Sequence, residues 1–77
     1  MRELIEFIAK SLVENPEAVT ITEEAGEDGG VLLRLAAAPE DMGRIIGKQG
    51  RTAKAMRTLL NAKATRESRR ASLQIME

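Results

Sequence analysis

Two glycines three residues apart, Gly47 and Gly50, interrupt an apolar helical run at Ile45-Ile46, and a second helical pattern starts directly after them. Glycine lets the backbone turn sharply and leaves no Cβ to hold a ligand away. The N–H groups that open the next helix lie just behind the turn, where the macrodipole favours negative charge. Lys48 sits between the glycines and Arg51 follows them. The tetrapeptide Gly47-Lys48-Gln49-Gly50 therefore has the makings of a backbone clamp for phosphates. Taken alone it also reads as a plain turn between two helices with solvated charges.

The rest of the chain falls into alternating patterns. Residues 3 to 14 predict an amphipathic helix, with Leu4, Ile5, Ile8, Ala9 and Leu12 within about 140 degrees of one another at 100 degrees per residue. Asn15-Pro16 is expected to stop it. Over residues 18 to 24, Val19 and Ile21 alternate with Thr20 and Thr22, as in a half-buried strand. Gly26 to Gly30 supply an acidic turn, and Val31, Leu33, Leu35 and Ala37 form the inward row of a second strand, giving an antiparallel hairpin. Pro39 suits the first turn of a short helix carrying Met42, Ile45 and Ile46, with Glu40 and Asp41 complementing its dipole. A longer helix is expected from about Gln49 to Ala64, and Ala71, Leu73 and Ile75 alternate in a last strand. Two helices between strands allow a parallel crossover, so the last strand should pair parallel to the second. The expected fold is α+β, in the order α-β-β-α-α-β, with a three-stranded mixed sheet packed against three helices.

The long helix has three faces. With Ala53 set at zero degrees, Met56, Leu60 and Ala64 fall at about 300, 340 and 20, a core stripe. Arg57, Lys54 and Arg51 fall at about 40, 100 and 160, a basic flank winding back to the glycine loop, along which phosphates would find charge. Ala62, Ala55 and Leu59 fall at about 180, 200 and 240. That apolar strip suits packing against another chain, or marks a helix covered more widely than its core stripe.

Charge is divided along the chain although its formal sum is zero. Residues 1 to 41 hold ten acids against Arg2, Lys10 and Arg34, whereas in residues 42 to 77 nine bases face only Glu67 and Glu77. The glycine loop lies inside the basic half, as a phosphate-binding surface requires. A dipolar surface on which the two halves pair is the alternative. With no cysteine or histidine, thiolate or imidazole metal sites and Ser/His or Cys chemistry are excluded, and no cofactor is expected. A P-loop wants glycine at position 42 and Ser or Thr at 49, where Met42 and Gln49 stand, so the chain reads as a non-enzyme. The N-terminus lacks the pattern of a signal peptide, and no run is long enough to span a membrane, which points to the cytoplasm.

The stretch Arg44-Ile45-Ile46-Gly47-Lys48-Gln49-Gly50-Arg51-Thr52-Ala53-Lys54-Ala55 and its continuation Met56-Arg57-Thr58-Leu59-Leu60 resemble the signature of KH domains, and the order of elements resembles the type II KH fold. Over its whole length the chain is similar to the KhpA family of small bacterial single-KH proteins. The resemblance implies a single KH domain over residues 1–77, with the core motif at about 30–77, that grips roughly four nucleotides of single-stranded RNA by the backbone. It implies RNA contacts at Arg44, Ile46, Gly47, Lys48, Gln49, Gly50, Arg51, Lys54 and Arg57. Aliphatic side chains, Ile45 or Ile46 and a residue of the second strand, would line the groove floor, since Phe7 is the sole aromatic and no stacking platform is possible. Ala53 departs from the KH pattern, where a bulkier aliphatic is usual. The family relation further implies an RNA chaperone or post-transcriptional regulator acting in cell elongation and envelope homeostasis, as a homodimer or with a larger KhpB-type partner. Ala55, Leu59 and Ala62 are the candidate interface. The alternative is a KH-fold interaction module that dimerises and has little RNA affinity of its own.

Overall fold

The computed structural model describes residues 1–26 and 29–76, so the expected acidic turn residues Glu27 and Asp28, and Glu77, lie outside the described residues. Helix α1 spans Arg2–Leu12, strand β1 Thr20–Ala25, strand β2 Val31–Ala36, helix α2 Met42–Ile46, helix α3 Arg51–Arg66 and strand β3 Ala71–Ile75. Three-residue 3-10 turns at Pro16–Ala18, Pro39–Asp41 and Lys48–Gly50 lead into β1, α2 and α3. The sheet order is β1-β2-β3, with β1 antiparallel to β2 and β3 parallel to it. This is the expected α+β arrangement.

Period-two alternation in β2 puts Val31, Leu33 and Leu35 on one face, where they are buried, and leaves Arg34 exposed on the other. The helices cover the first face. From α1 come Ile5 and Ala9, from α2 Ile45, from α3 Met56 and Leu60, and from β3 Leu73, all joined in one core with Val19 just ahead of β1. Ala53 and Ala64, also buried, complete the inward stripe of α3. The opposite sheet face is open. An Arg34–Glu24 ion pair of 3.2 Å crosses it, and Ser72 and Gln74 lie exposed there.

α1 is shorter than its apolar pattern predicts. Val13 is extended (φ −100°, ψ 161°), so the helix ends at Leu12 rather than at Asn15-Pro16. The cause lies elsewhere in the chain. The backbone N–H groups of Glu14 and Asn15 each donate to a carboxylate oxygen of Asp41 at 3.1 Å, and Asn15 Nδ2 adds a 3.3 Å bond to Asp41 and a 3.2 Å bond to Glu40. Asp41 therefore does more than complement a helix dipole: at 1% exposure it ties the end of α1 to the start of α2. β1 begins two residues later than expected and runs one residue further, because its pairing with β2 extends from Thr20 opposite Ala36 to Ala25 opposite Val31. The second strand ends at Ala36, and Ala37 packs against the core just beyond it.

Candidate nucleic-acid interface

α2 ends where Gly47 adopts φ +76° and ψ 170°, and its N–H closes back on the Gly43 carbonyl at 2.8 Å. Gln49 (φ 58°) and Gly50 (φ +74°) are left-handed as well, and the Gly50 N–H bonds the Gly47 carbonyl at 3.1 Å. A side chain at Gly47 would collide with Thr52, whereas one at Gly50 would meet nothing within 4 Å. Gly47 is thus needed for conformation and space, and Gly50 for conformation alone. The long helix begins at Arg51, two residues later than expected, because this left-handed turn occupies Lys48–Gly50. Its first amide, Arg51 N–H, bonds the Lys48 carbonyl of the loop, which is exposed at Lys48 and Gln49.

Lys48, Gln49, Arg51, Lys54 and Arg57 are all exposed around and below this loop. Among the described residues, the ion pairs engage the N-terminus, Lys10, Arg34, Arg44 and Lys63, and none engages Lys48, Arg51, Lys54 or Arg57. Arg51 instead donates to Gln49 Oε1 at 3.2 Å. Four cations without a carboxylate partner line one flank, where the positive potential stays uncompensated. Arg44 differs from them. Its guanidinium pairs with Glu14 at 2.8 Å and with Asp41 at 3.6 Å, so in this state two acids hold it. Asp41 is pulled in both directions: burial pushes its carboxyl pKa up, but the N–H donors of Glu14 and Asn15, the Asn15 side chain and Arg44 outweigh burial and hold it below the ordinary range.

Between α3 and β3 lies a cleft of about 220 Å³, lined by Arg57, Leu60, Asn61, Ala71, Ser72 and Leu73. Neither Ile45 nor Ile46, the isoleucines expected on a groove floor, lines this cleft. Ile45 is fully buried in the core and Ile46 is half-buried, so of the two isoleucines only Ile46 reaches the surface. The second strand cannot supply the remainder on the helix side, because β2 is central and its inward residues are covered; the strand beside the cleft is β3. A larger concavity of about 570 Å³ lies at the hairpin end of the sheet, beside Gly26, Gly30, Leu32 and Arg70, and holds none of the candidate residues. On the third face of α3, Ala55, Leu59 and Ala62 are exposed, Leu59 by 50%. Phe7, on α1, is 72% exposed.

A glycine loop between two helices, laid on a three-stranded mixed sheet in the order α-β-β-α-α-β, defines a KH domain. The family model described as KhpA/KhpB, KH domain, matches residues 2–75, and the chain belongs to that family. It is 50% identical over 76 residues to the RNA-binding protein KhpA of Clostridium perfringens, covering 99% of this chain and all of that protein. It is 48% identical over 77 residues to the RNA-binding protein KhpA of Listeria monocytogenes, covering the whole of both chains. It is 48% identical over 75 residues to the RNA-binding protein KhpA of Treponema pallidum, covering 97% of this chain and 92% of that protein.

Sequence reasoning had no means of finding two features of this surface. The engagement of Arg44 by Glu14 depends on residues 30 apart, and the contact of Arg57 Nε with the Leu73 carbonyl at 3.3 Å joins α3 to a strand 16 residues on. Neither spacing carries a local pattern.

Proposed function

We propose that this protein binds single-stranded RNA, holding the sugar-phosphate backbone at Gly47-Lys48-Gln49-Gly50 and laying the bases along the cleft between α3 and β3. One observation carries the reading above the rest: the left-handed glycine turn stands at the head of a row of cations, Lys48, Arg51, Lys54 and Arg57, that pair with no acid among the described residues. Backbone contacts of this kind position a strand, and an edge beside them reads it. Full-length similarity to proteins named for RNA binding supports the same assignment, and supports binding over catalysis.

In this reading residues 1–77 act as one KH domain with the motif core at about 30–77, in the cytoplasm, where the protein serves as an RNA chaperone or post-transcriptional regulator. No helix among the described residues is long and apolar enough to cross a membrane. Ile46 contributes apolar surface to the bases, while Arg44 reaches a phosphate only by leaving Glu14. A four-nucleotide site without stacking aromatics is weak, so two copies, or this chain with a KhpB-type partner, act together through Ala55, Leu59 and Ala62, and avidity compensates. The link to cell elongation and envelope homeostasis rests on family relationship.

A salt titration of single-stranded RNA binding tests the proposal. Three or four neutralised phosphates give a log-log slope of about −2 to −3, and duplexes bind worse. A slope near zero, or a preference for double-stranded RNA, overturns it.

A further inference from the structure

β3 is an edge strand among the described elements, and two hydrogen bonds fix which of its residues face outward. Val31 N–H bonds the Arg70 carbonyl at 2.8 Å and Met76 N–H bonds the Leu35 carbonyl at 2.8 Å. In a parallel pair the N–H and C=O of one residue point to the same side, and alternate residues point to opposite sides. Residues 70, 72, 74 and 76 therefore turn their backbone towards β2. Ala71, Leu73 and Ile75 turn theirs to the outer edge, which borders the cleft lined by Arg57, Leu60 and Asn61. The Leu73 carbonyl on that edge is already occupied, since Arg57 Nε donates to it at 3.3 Å.

We infer that Arg57 is the specificity-determining residue of this cleft and discriminates between purines in favour of guanine; the inference rests on the RNA-binding reading above. An open strand edge offers a base one donor and one acceptor at Leu73. With Arg57 seated on the carbonyl, one of its two lone pairs is engaged and the guanidinium adds its two Nη groups, so donors predominate at the position. Guanine answers a donor fork with two adjacent acceptors, O6 and N7. Adenine sets an amino donor in place of O6, so it brings a donor against the donors of the guanidinium and can use only N7 as an acceptor for them. Lysine keeps the charge of Arg57 but lacks the planar fork, so charge and recognition are separable at this residue.

The experiment is fluorescence anisotropy of the full chain with single-stranded uridine octamers carrying one guanosine, one adenosine or one 7-deazaguanosine. The wild type binds the guanosine octamer on the order of five- to tenfold more tightly than the adenosine one, the lower end of what a bidentate contact gives. The 7-deazaguanosine octamer, which lacks the N7 acceptor, loses that advantage. Arg57→Lys retains the salt slope and the circular dichroism melt of the wild type but binds all three octamers alike; Arg57→Ala also binds them alike, with a shallower slope because a cation is lost. A merely structural cap on the strand edge would leave the purine ratio unchanged. Equal binding of guanosine and adenosine octamers by the wild type, or a guanosine preference that survives Arg57→Lys, overturns the role of Arg57 while leaving RNA binding in place. Failure of every octamer to bind the wild type overturns both.

Discussion

Thr52 fills the space in which a β-carbon on Gly47 would stand: a Cβ built there lies 2.6 Å from the Thr52 Cβ and 2.8 Å from its backbone nitrogen. The first residue of the clamp and the first turn of α3 are thus packed without a gap, and the orientation of the loop relative to the basic flank is set by that contact. Gly50, three residues on, has a similar φ and an open surround.

The two glycines should consequently differ on substitution. Gly50→Ala meets only the left-handed backbone penalty of about 1–2 kcal/mol, partly offset by the lower entropy of the unfolded chain. Its melting temperature should fall by roughly 4–8 °C per kcal/mol. Gly47→Ala forces a side chain into a region (φ 76°, ψ 170°) that is essentially restricted to glycine and adds the collision with Thr52, so its loss should be clearly larger in thermal or urea unfolding. Thr52→Ala should not restore it, because the backbone nitrogen remains in the way. Equal losses at the two positions would refute this packing.

Asp41 gives the fold an acid-sensitive joint. Its carboxyl pKa is lowered in the folded state from an ordinary 3.8, so the unfolded chain binds the proton more readily. Stabilisation from Asp41 is therefore fully present above about pH 4 and is lost as pH falls through the lower, folded value. Asp41→Asn should lower the melting temperature at pH 7 and flatten its decline between pH 5 and 2. An unchanged acid limb in that variant would mean that other carboxylates govern acid unfolding.

Much of this architecture is legible in the sequence, and what is not has a common cause. The buried stripe Ala53, Met56, Leu60 and Ala64 and the inward row Val31, Leu33 and Leu35 follow from periods of 3.6 and 2, which report local geometry. The parallel placement of β3 follows from the length of the crossover. The early end of α1 does not, because Asp41 draws the Glu14 and Asn15 N–H groups out of the helix from 26 and 27 residues away. The cleft was expected against the second strand, but sheet order makes that strand central, and order is a property of the whole chain. Side-chain partners such as Glu14 for Arg44 are invisible for the same reason.

Assembly should respond to Leu59. The residue is half exposed between Ala55 and Ala62 on the face of α3 away from its core stripe. Leu59→Lys should remain folded, sediment as a monomer, and bind long RNA less well while binding a tetranucleotide as the wild type does. A Leu59→Lys dimer would place the interface elsewhere, and a monomeric wild type at high concentration would assign the strip to another partner.

The clamp itself is tested most directly by replacing both exposed residues between the glycines, Lys48→Asp with Gln49→Asp, and measuring single-stranded RNA binding alongside a circular dichroism melt. Gln49 has φ 58°, a conformation that Asp tolerates well, so the variant should fold with a melting temperature close to that of the wild type. Two carboxylates at the loop should repel phosphates and abolish binding. A folded variant that retains wild-type affinity would contradict the account, because the backbone of the RNA would then be held somewhere other than Gly47 to Gly50.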